Sequence, residues 1–225
     1  MKRLLRDTPP SYILIGELLV IFMLIPIIIA FNPLHYLSVV LVLLALLYVM
    51  WLTRFSFRLE SKGTKAEGLI RKHIIRICLK FITFALCLLV IMALLMPGKL
   101  FLVIGQSLVF WFAITCVYVF LSVLPQEWLF RVFFLWRYGV LFNSLLSKVN
   151  QTVFILFNAT LFCLAHIMFF NLWVLVLTFF GGLLFAYTYV KTKSYRLIVL
   201  EHSLYGLWLF TVGLGEILAF PVYSP

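Results

Sequence analysis

Long apolar runs dominate this sequence and constrain its fold more than any other feature. A helix needs about 20 mainly apolar residues to cross the hydrocarbon core of a bilayer. We place predicted spans at residues 12–31, 34–52, 74–96, 101–124, 152–170, 172–190 and 197–218. Because a bilayer offers no water to backbone N–H and C=O groups, such runs fold as helices. The sequence therefore predicts an all-α, polytopic transmembrane helical bundle of about 7 to 8 spans.

Composition supports one membrane domain rather than a soluble protein with an anchor. Hydrophobic residues make up 65% of the 225 residues and charged residues only 11%, whereas a soluble domain is roughly half apolar and a quarter charged. We therefore expect residues 1–225 to form a single integral membrane domain. The net charge of +11 does not indicate nucleic acid as a partner, because the cations lie in loops between apolar runs rather than on one stripe.

The distribution of lysine and arginine predicts the orientation in the membrane. Cytoplasmic segments of membrane proteins carry an excess of these residues. With a cytoplasmic N-terminus, every Lys and Arg except Lys99 falls in a cytoplasmic segment or at its edge. The stretch 126–147 is apolar enough to cross the membrane as an eighth span. Crossing would place Lys191, Lys193 and Arg196 outside, so we expect this stretch to be interfacial or partly inserted.

Three short polar clusters interrupt the apolar helices: PQEWLFR at 125–131, FCLAH at 162–166 and EHSLYG at 201–206. An ionisable side chain near the bilayer centre costs roughly 2.5 to 3.5 kcal/mol on insertion scales. Several in one chain require mutual pairing, a wet cavity, or both. The ionisable residues of these clusters are the candidate site residues: Glu127, Arg131, His166, Glu201 and His202.

The residue types in the clusters point to hydrolytic or metal chemistry. Glu127 and Arg131 are four residues apart, so on a helix they share a face and can pair. Pro125, just before them, suits a helix start or a kink. Imidazoles and carboxylates on three helices can activate a water molecule directly. They can also bind a divalent metal such as zinc, with His166, His202 and Glu127 as possible ligands.

Each cluster also has a purely structural interpretation. The pair Glu127 and Arg131 can serve only to anchor the cytoplasmic end of the fourth span. A single intramembrane histidine such as His166 is often a hydrogen-bonded packing residue. It is the combination of three clusters on three separate helices that favours a functional site.

In their order along the chain, the clusters resemble the motifs of the intramembrane CAAX protease and bacteriocin-processing family. That pattern is EExxxR on one helix, FxxxH on the next and HxxxN on a later one, and this chain has QEWLFR, FCLAH and HSLYG. The resemblance covers roughly residues 125–210. It implies an endopeptidase in which a glutamate activates water for attack on a peptide carbonyl and histidines support it. The motif positions are those of Glu127, Arg131, His166 and His202.

The resemblance also implies partners and a location. A protease of this kind acts on a membrane-associated peptide or protein within the lipid bilayer. We expect the plasma membrane of a bacterium as its location. The family has been described both as metalloproteases and as glutamate proteases without metal. Two histidines and one glutamate would suffice for zinc with an open position for water.

Two positions depart from the family pattern. Gln126 replaces the first glutamate, and an amide cannot act as a general base at neutral pH. Gly206 replaces the final asparagine. Either Glu127 acts as the base instead, or Glu201 supplies the missing carboxylate beside His202.

Two other functions are compatible with the sequence. Because of its two departures from the pattern, the chain also fits a catalytically inactive relative that binds or escorts membrane segments. A transporter or proton pathway is the third possibility, since intramembrane Glu and His chains also mark proton relays. Against it, no repeat of the first half is visible in the second half, and such folds often show one.

Overall fold

Helices and no strands make up the described part of the chain. In the computed structural model this part comprises residues 9–32, 67–145 and 151–215, with six single positions between 40 and 51. The main helices, numbered in chain order, are α1 (Ser11–Phe31), α2 (Glu67–Leu95), α3 (Leu102–Gln106), α4 (Leu108–Phe142), α5 (Gln151–Leu164), α6 (Leu172–Thr192) and α7 (Tyr195–Leu214). The prediction of an all-α bundle is confirmed.

All of these helices except the short α3 are long and apolar enough to cross a membrane, counting with α5 the 3₁₀ turn Ile167–Phe169 that follows it. They correspond to six of the seven predicted spans. The remaining predicted span, 34–52, falls mostly outside the described residues, as does the start of the chain at 1–8. The protein is an integral membrane protein.

Polar side chains mark the points where three of the helices begin. At the starts of α4, α6 and α7, an oxygen of Ser107, Asn171 or Ser194 accepts a hydrogen bond from a first-turn backbone N–H. Such caps satisfy donors that the helix itself leaves unpaired. The predicted break at Asn171 is confirmed. The fourth span begins at Leu108 rather than at 101, because Ser107 caps it there.

Helix α4 continues well past 124, the predicted end of the fourth span. It runs for 35 residues, or about 52 Å, which exceeds the hydrocarbon thickness of about 30 Å. Pro125 lies inside it, where its missing N–H removes a helical hydrogen bond. Wide π-helical turns at Tyr118–Val123 and Trp128–Phe133 flank this position. The stretch 126–147 is thus, as far as it is described, a continuation of α4 and not a separate element.

Aromatic side chains of α1, α4 and α5 form the centre of the core. The ring of Phe22 meets those of Phe130, Phe134 and Tyr138 edge-on, with centroid distances of 5.1, 5.1 and 5.8 Å. Phe130 in turn meets Phe162 edge-on at 5.2 Å. Such pairs stabilise packing beyond the area that they bury. They fix the rotation of α4 about its axis, and with it the direction of its polar side chains.

An ion pair that the sequence analysis did not identify joins α1 to α4. The Glu17 carboxylate accepts hydrogen bonds from Arg137 Nε at 2.9 Å and Arg137 Nη2 at 2.6 Å. The hydroxyl of Tyr138 donates to the same carboxylate at 2.8 Å, and that of Tyr48 at 3.1 Å. Two-pronged arginine–carboxylate pairs are among the strong hydrogen-bonded contacts. The one sequence clue was that Glu17 is the only acidic residue in α1.

We expect Glu17→Ala to lower the free energy of unfolding by about 2 to 4 kcal/mol, because it leaves the Arg137 guanidinium without its carboxylate. The measurement is denaturant or thermal unfolding of the purified protein in detergent. Removing both partners with Glu17→Ala and Arg137→Ala should cost clearly less than the sum of the single losses. Strictly additive losses would show that the pair does not stabilise the contact between α1 and α4.

Candidate functional site

Glu127 of α4 contacts both Arg131 of the same helix and His202 of α7. Glu127 Oε1 lies 2.8 Å from His202 Nδ1, and Glu127 Oε2 lies 3.4 Å from Arg131 Nε. Glu127 is 0% exposed and Arg131 is 2% exposed. The helical pair predicted from the four-residue spacing is present. It meets the last motif of the chain directly, across 75 residues of sequence.

Arg131 is held by contacts from α5 and from its own helix. Its Nη1 donates a hydrogen bond to Asn158 Oδ1 at 2.8 Å, and Asn158 Nδ2 donates to the Phe130 carbonyl at 2.7 Å. The guanidinium also lies over the Phe162 ring, 4.7 Å from its centroid. Buried charge is tolerated only with such compensation. Arg131 is therefore a fixed cation next to Glu127.

The His202 imidazole is fixed on one face and at one nitrogen. It stacks on the Phe185 ring of α6, with centroids 4.5 Å apart and planes 19° apart. Because Nδ1 meets Glu127, the other nitrogen, Nε2, is the one that can meet water or a substrate. Carboxylates commonly orient functional imidazoles in this way.

His166 lies just beyond the end of α5 and approaches the same centre through Phe162. Its Nδ1 is 2.8 Å from the Phe162 carbonyl oxygen. The Phe162 ring centroid lies 4.8 Å from that of His166 and 5.8 Å from that of His202. The two imidazoles therefore pack on one phenyl ring.

Glu201 is fully buried but points away from this group. Its Oε1 lies 4.0 Å from Lys80 Nζ of α2, because neighbouring residues of a helix point about 100° apart. The structure does not bring Glu201 to the ring of His202, where Glu127 is the carboxylate in contact. Gln126 is also turned elsewhere, and its Nε2 donates to Ser122 Oγ at 3.1 Å.

The possible zinc ligands do not converge as a ligand set. Among the residues that the structure describes, no three His, Cys, Asp or Glu side chains are arranged to hold a metal ion. Glu127 directs Oε1 at His202 Nδ1, so these two atoms bind each other and are not presented together to a common point. With Glu127, His166 and His202 arranged in this way, the donor set does not fit a tetrahedral zinc site.

Tyr118 completes the group, and the sequence analysis did not identify it. Its ring meets His202 edge-on, with centroids 6.0 Å apart. Its hydroxyl lies directly over Gly206, where an added Cβ would overlap it. The phenol of Tyr118 fills the space above position 206, which is a steric reason for a glycine there. No sequence pattern pairs these two positions, because 88 residues separate them.

The segment that carries these residues is similar to a known protein family. The family model described as "Type II CAAX prenyl endopeptidase Rce1-like" matches residues 105–208. Over that range, a little under half of the chain, the sequence is similar to this family. The predicted resemblance is confirmed, and the Rce1-like segment contains Glu127, Arg131, His166 and His202, as well as Tyr118. No curated protein and no solved structure matches significantly. The match supports a CAAX-type protease.

We expect Gly206→Ala to destabilise the Rce1-like segment by about 1 to 3 kcal/mol, since the new Cβ forces the Tyr118 ring out of its position. Gly139→Ala is the matched control, because a Cβ there would be 3.6 Å from Leu135 Cδ1, an ordinary contact. Thermal unfolding in detergent measures both. Tyr118→Ala should relieve part of the Gly206→Ala loss. Equal effects of the two glycine substitutions would contradict the overlap.

Proposed function

We propose that this protein is an intramembrane endopeptidase that hydrolyses a peptide bond of a membrane-associated protein or peptide. The observation that carries the proposal is the buried contact between Glu127 and His202, with Arg131 beside it. A packed apolar core would be at least as stable without these ionisable groups. Their presence within an Rce1-like segment is accounted for by chemistry on a polar substrate.

In the proposed mechanism, the Glu127–His202 pair activates water. His202 Nδ1–H donates to Glu127, so His202 Nε2 accepts a proton from water as the oxygen attacks the peptide carbonyl. Glu127 stabilises the imidazolium that forms, and Arg131 holds the carboxylate in its orientation. The imidazolium then gives its proton to the leaving amine. The sequence alone left two carboxylates as candidates for direct activation of water, Glu127 or Glu201 beside His202. The hydrogen bond from His202 favours the pair as the unit that acts.

Tyr118 is the proposed donor to the oxyanion. Its hydroxyl lies over Gly206 and its ring meets His202, so both groups can face one substrate carbonyl. A hydrogen-bond donor fixed where negative charge develops lowers the barrier because it needs no reorganisation. His166 packs on the Phe162 ring, as His202 does. We propose that His166 helps to hold the water.

We further propose a cytoplasmic N-terminus and the plasma membrane of a bacterium as the location. The cations support this orientation. Arg196 lies in the first turn of α7, whereas Lys99 adjoins Gly213 near the other end of the same helix. Lys99 was the one cation that the charge distribution assigned to the outside. The end of α7 at Arg196 is therefore the proposed cytoplasmic end, and the end near Lys99 is the proposed outer end, as the excess of cytoplasmic cations requires.

We expect Glu127→Gln to lower the rate of peptide cleavage about 10³-fold, because the pair that accepts the proton is lost. Glu201→Gln makes the same chemical change at a buried carboxylate that faces Lys80 instead, and it should stay within about tenfold of wild type. The measurement is product mass spectrometry on purified protein incubated with membrane peptides that vary in their C-terminal segments.

The outcomes of this experiment separate the interpretations. Full cleavage by Glu127→Gln would rule out the proposed pair. No turnover by the wild type on any peptide would instead favour an inactive relative that binds membrane segments, consistent with Gln126 at a motif position. Cleavage that stops on addition of a chelator would show that a metal ion takes part.

We expect Tyr118→Phe to lower kcat about 10²-fold with little change in KM, because the hydroxyl acts only on charge that develops in the transition state. Tyr205→Phe is the matched control, since Tyr205 is a buried tyrosine of α7 that packs on Phe81 and Phe84. A loss confined to KM, or equal losses in both variants, would contradict the proposed role of Tyr118.

A further inference from the structure

A basic pocket opens between α2 and α6, away from the contact of Glu127 with His202. Its volume is about 500 Å³. The polar side chains and the aromatic ring in its walls are His73, Arg76, Lys80, Tyr187, Thr188 and Lys191. Three of the lining residues are lysine or arginine, and no acidic residue is among those described as lining it.

The cations of the pocket are arranged around one aromatic ring. Lys80 Nζ and Lys191 Nζ each lie 5.7 Å from the centroid of the Tyr187 ring. Lys80 also lies 4.0 Å from the buried Glu201 carboxylate. Arg76 is exposed on the same side of α2. The ammonium groups are therefore held by contacts with the bundle.

The pocket lies at the level where the helices leave the membrane. Lys191 is the last residue but one of α6, and Tyr187 is one turn before it. Tyrosines and cations are typical of this level, because their apolar stems face the hydrocarbon and their polar tips face the head groups. On α2, Ile77 lines the pocket, and Leu79, which precedes Lys80 in the chain, is 61% exposed. A ligand here meets positive charge and apolar surface together.

We propose that this basic pocket binds a phosphate group at the membrane surface, the head-group phosphate of an anionic lipid. Basic pockets between transmembrane helices at the cytoplasmic side suit such head groups. The guanidinium fork of Arg76 matches two phosphate oxygens, and Lys191 adds a point charge. The volume lies within the range of small-ligand sites, about 300 to 1,000 Å³. The adjacent apolar surface of α2 accommodates acyl chains.

The test is lipid binding to the purified, delipidated protein, followed by native mass spectrometry. Phosphatidylglycerol, phosphatidylcholine and inorganic phosphate are titrated separately. Each surface cation contributes about fivefold to anionic-lipid affinity. The double variant Arg76→Gln with Lys191→Gln should therefore bind phosphatidylglycerol about 25-fold more weakly. The matched control is Arg196→Gln, which removes an exposed cation that lines a different groove of α7 and should change affinity less than twofold.

Weaker binding of phosphatidylglycerol by the double variant, but not by Arg196→Gln, supports a lipid head-group site in the pocket. Inorganic phosphate that binds as tightly as phosphatidylglycerol, and loses affinity in the same variant, supports the phosphate site but assigns it to a soluble ligand. Wild-type affinity in the double variant overturns the proposal, as does an equal loss in Arg196→Gln. Arg76→Gln alone should bind phosphatidylglycerol about fivefold more weakly. This single variant is measured instead if the double variant does not fold. Because peptide cleavage is not the readout, the result is independent of the proposed protease activity.

Discussion

Charge held inside an apolar bundle is the constraint on which this structure depends. Glu127 and Arg131 are almost completely buried, and an unpaired buried charge costs several kcal/mol. Three helices converge to offset part of that cost. His202 of α7 contacts Glu127, and Asn158 of α5 contacts Arg131. The helices of the site are therefore positioned as much by polar compensation as by apolar packing.

Helix α4 carries members of two ionic groups, one fully buried and one partly buried. Glu127 lies beside the π-helical turn that starts at Trp128, and Arg137 follows ten residues later, where it meets Glu17 of α1. π-helical turns widen a helix locally and often occur at functional sites. The aromatic core around Phe22 holds α4 between these two levels. A single helix held at these two levels supports the proposed catalytic group.

The proposed chemistry adds to the motif residues one side chain, Tyr118, that the family motifs do not include. Tyr118 of α4 lies beside His202 and fills the space over Gly206, the position one turn further along α7 where the motif has an asparagine. Glu127, the second residue of its motif, makes the contact with His202. Short motifs specify residue types and order. The atoms that face one another depend on how the helices pack.

The sequence by itself determined the membrane bundle, most of the described spans and the polar clusters. Apolar runs of about 20 residues and the cost of intramembrane charge are local properties. The start of α6 is local too, because the Asn171 side chain accepts a hydrogen bond from a backbone N–H in the first turn of that helix. Only the tertiary structure decided that α4 passes through Pro125, where the Tyr195 hydroxyl of α7 donates a hydrogen bond to the Leu124 carbonyl at 2.8 Å. It also decided that Glu201 faces α2 and that Tyr118 covers Gly206. Such contacts join residues far apart in sequence, and they depend on the rotation of each helix, which hydropathy does not specify.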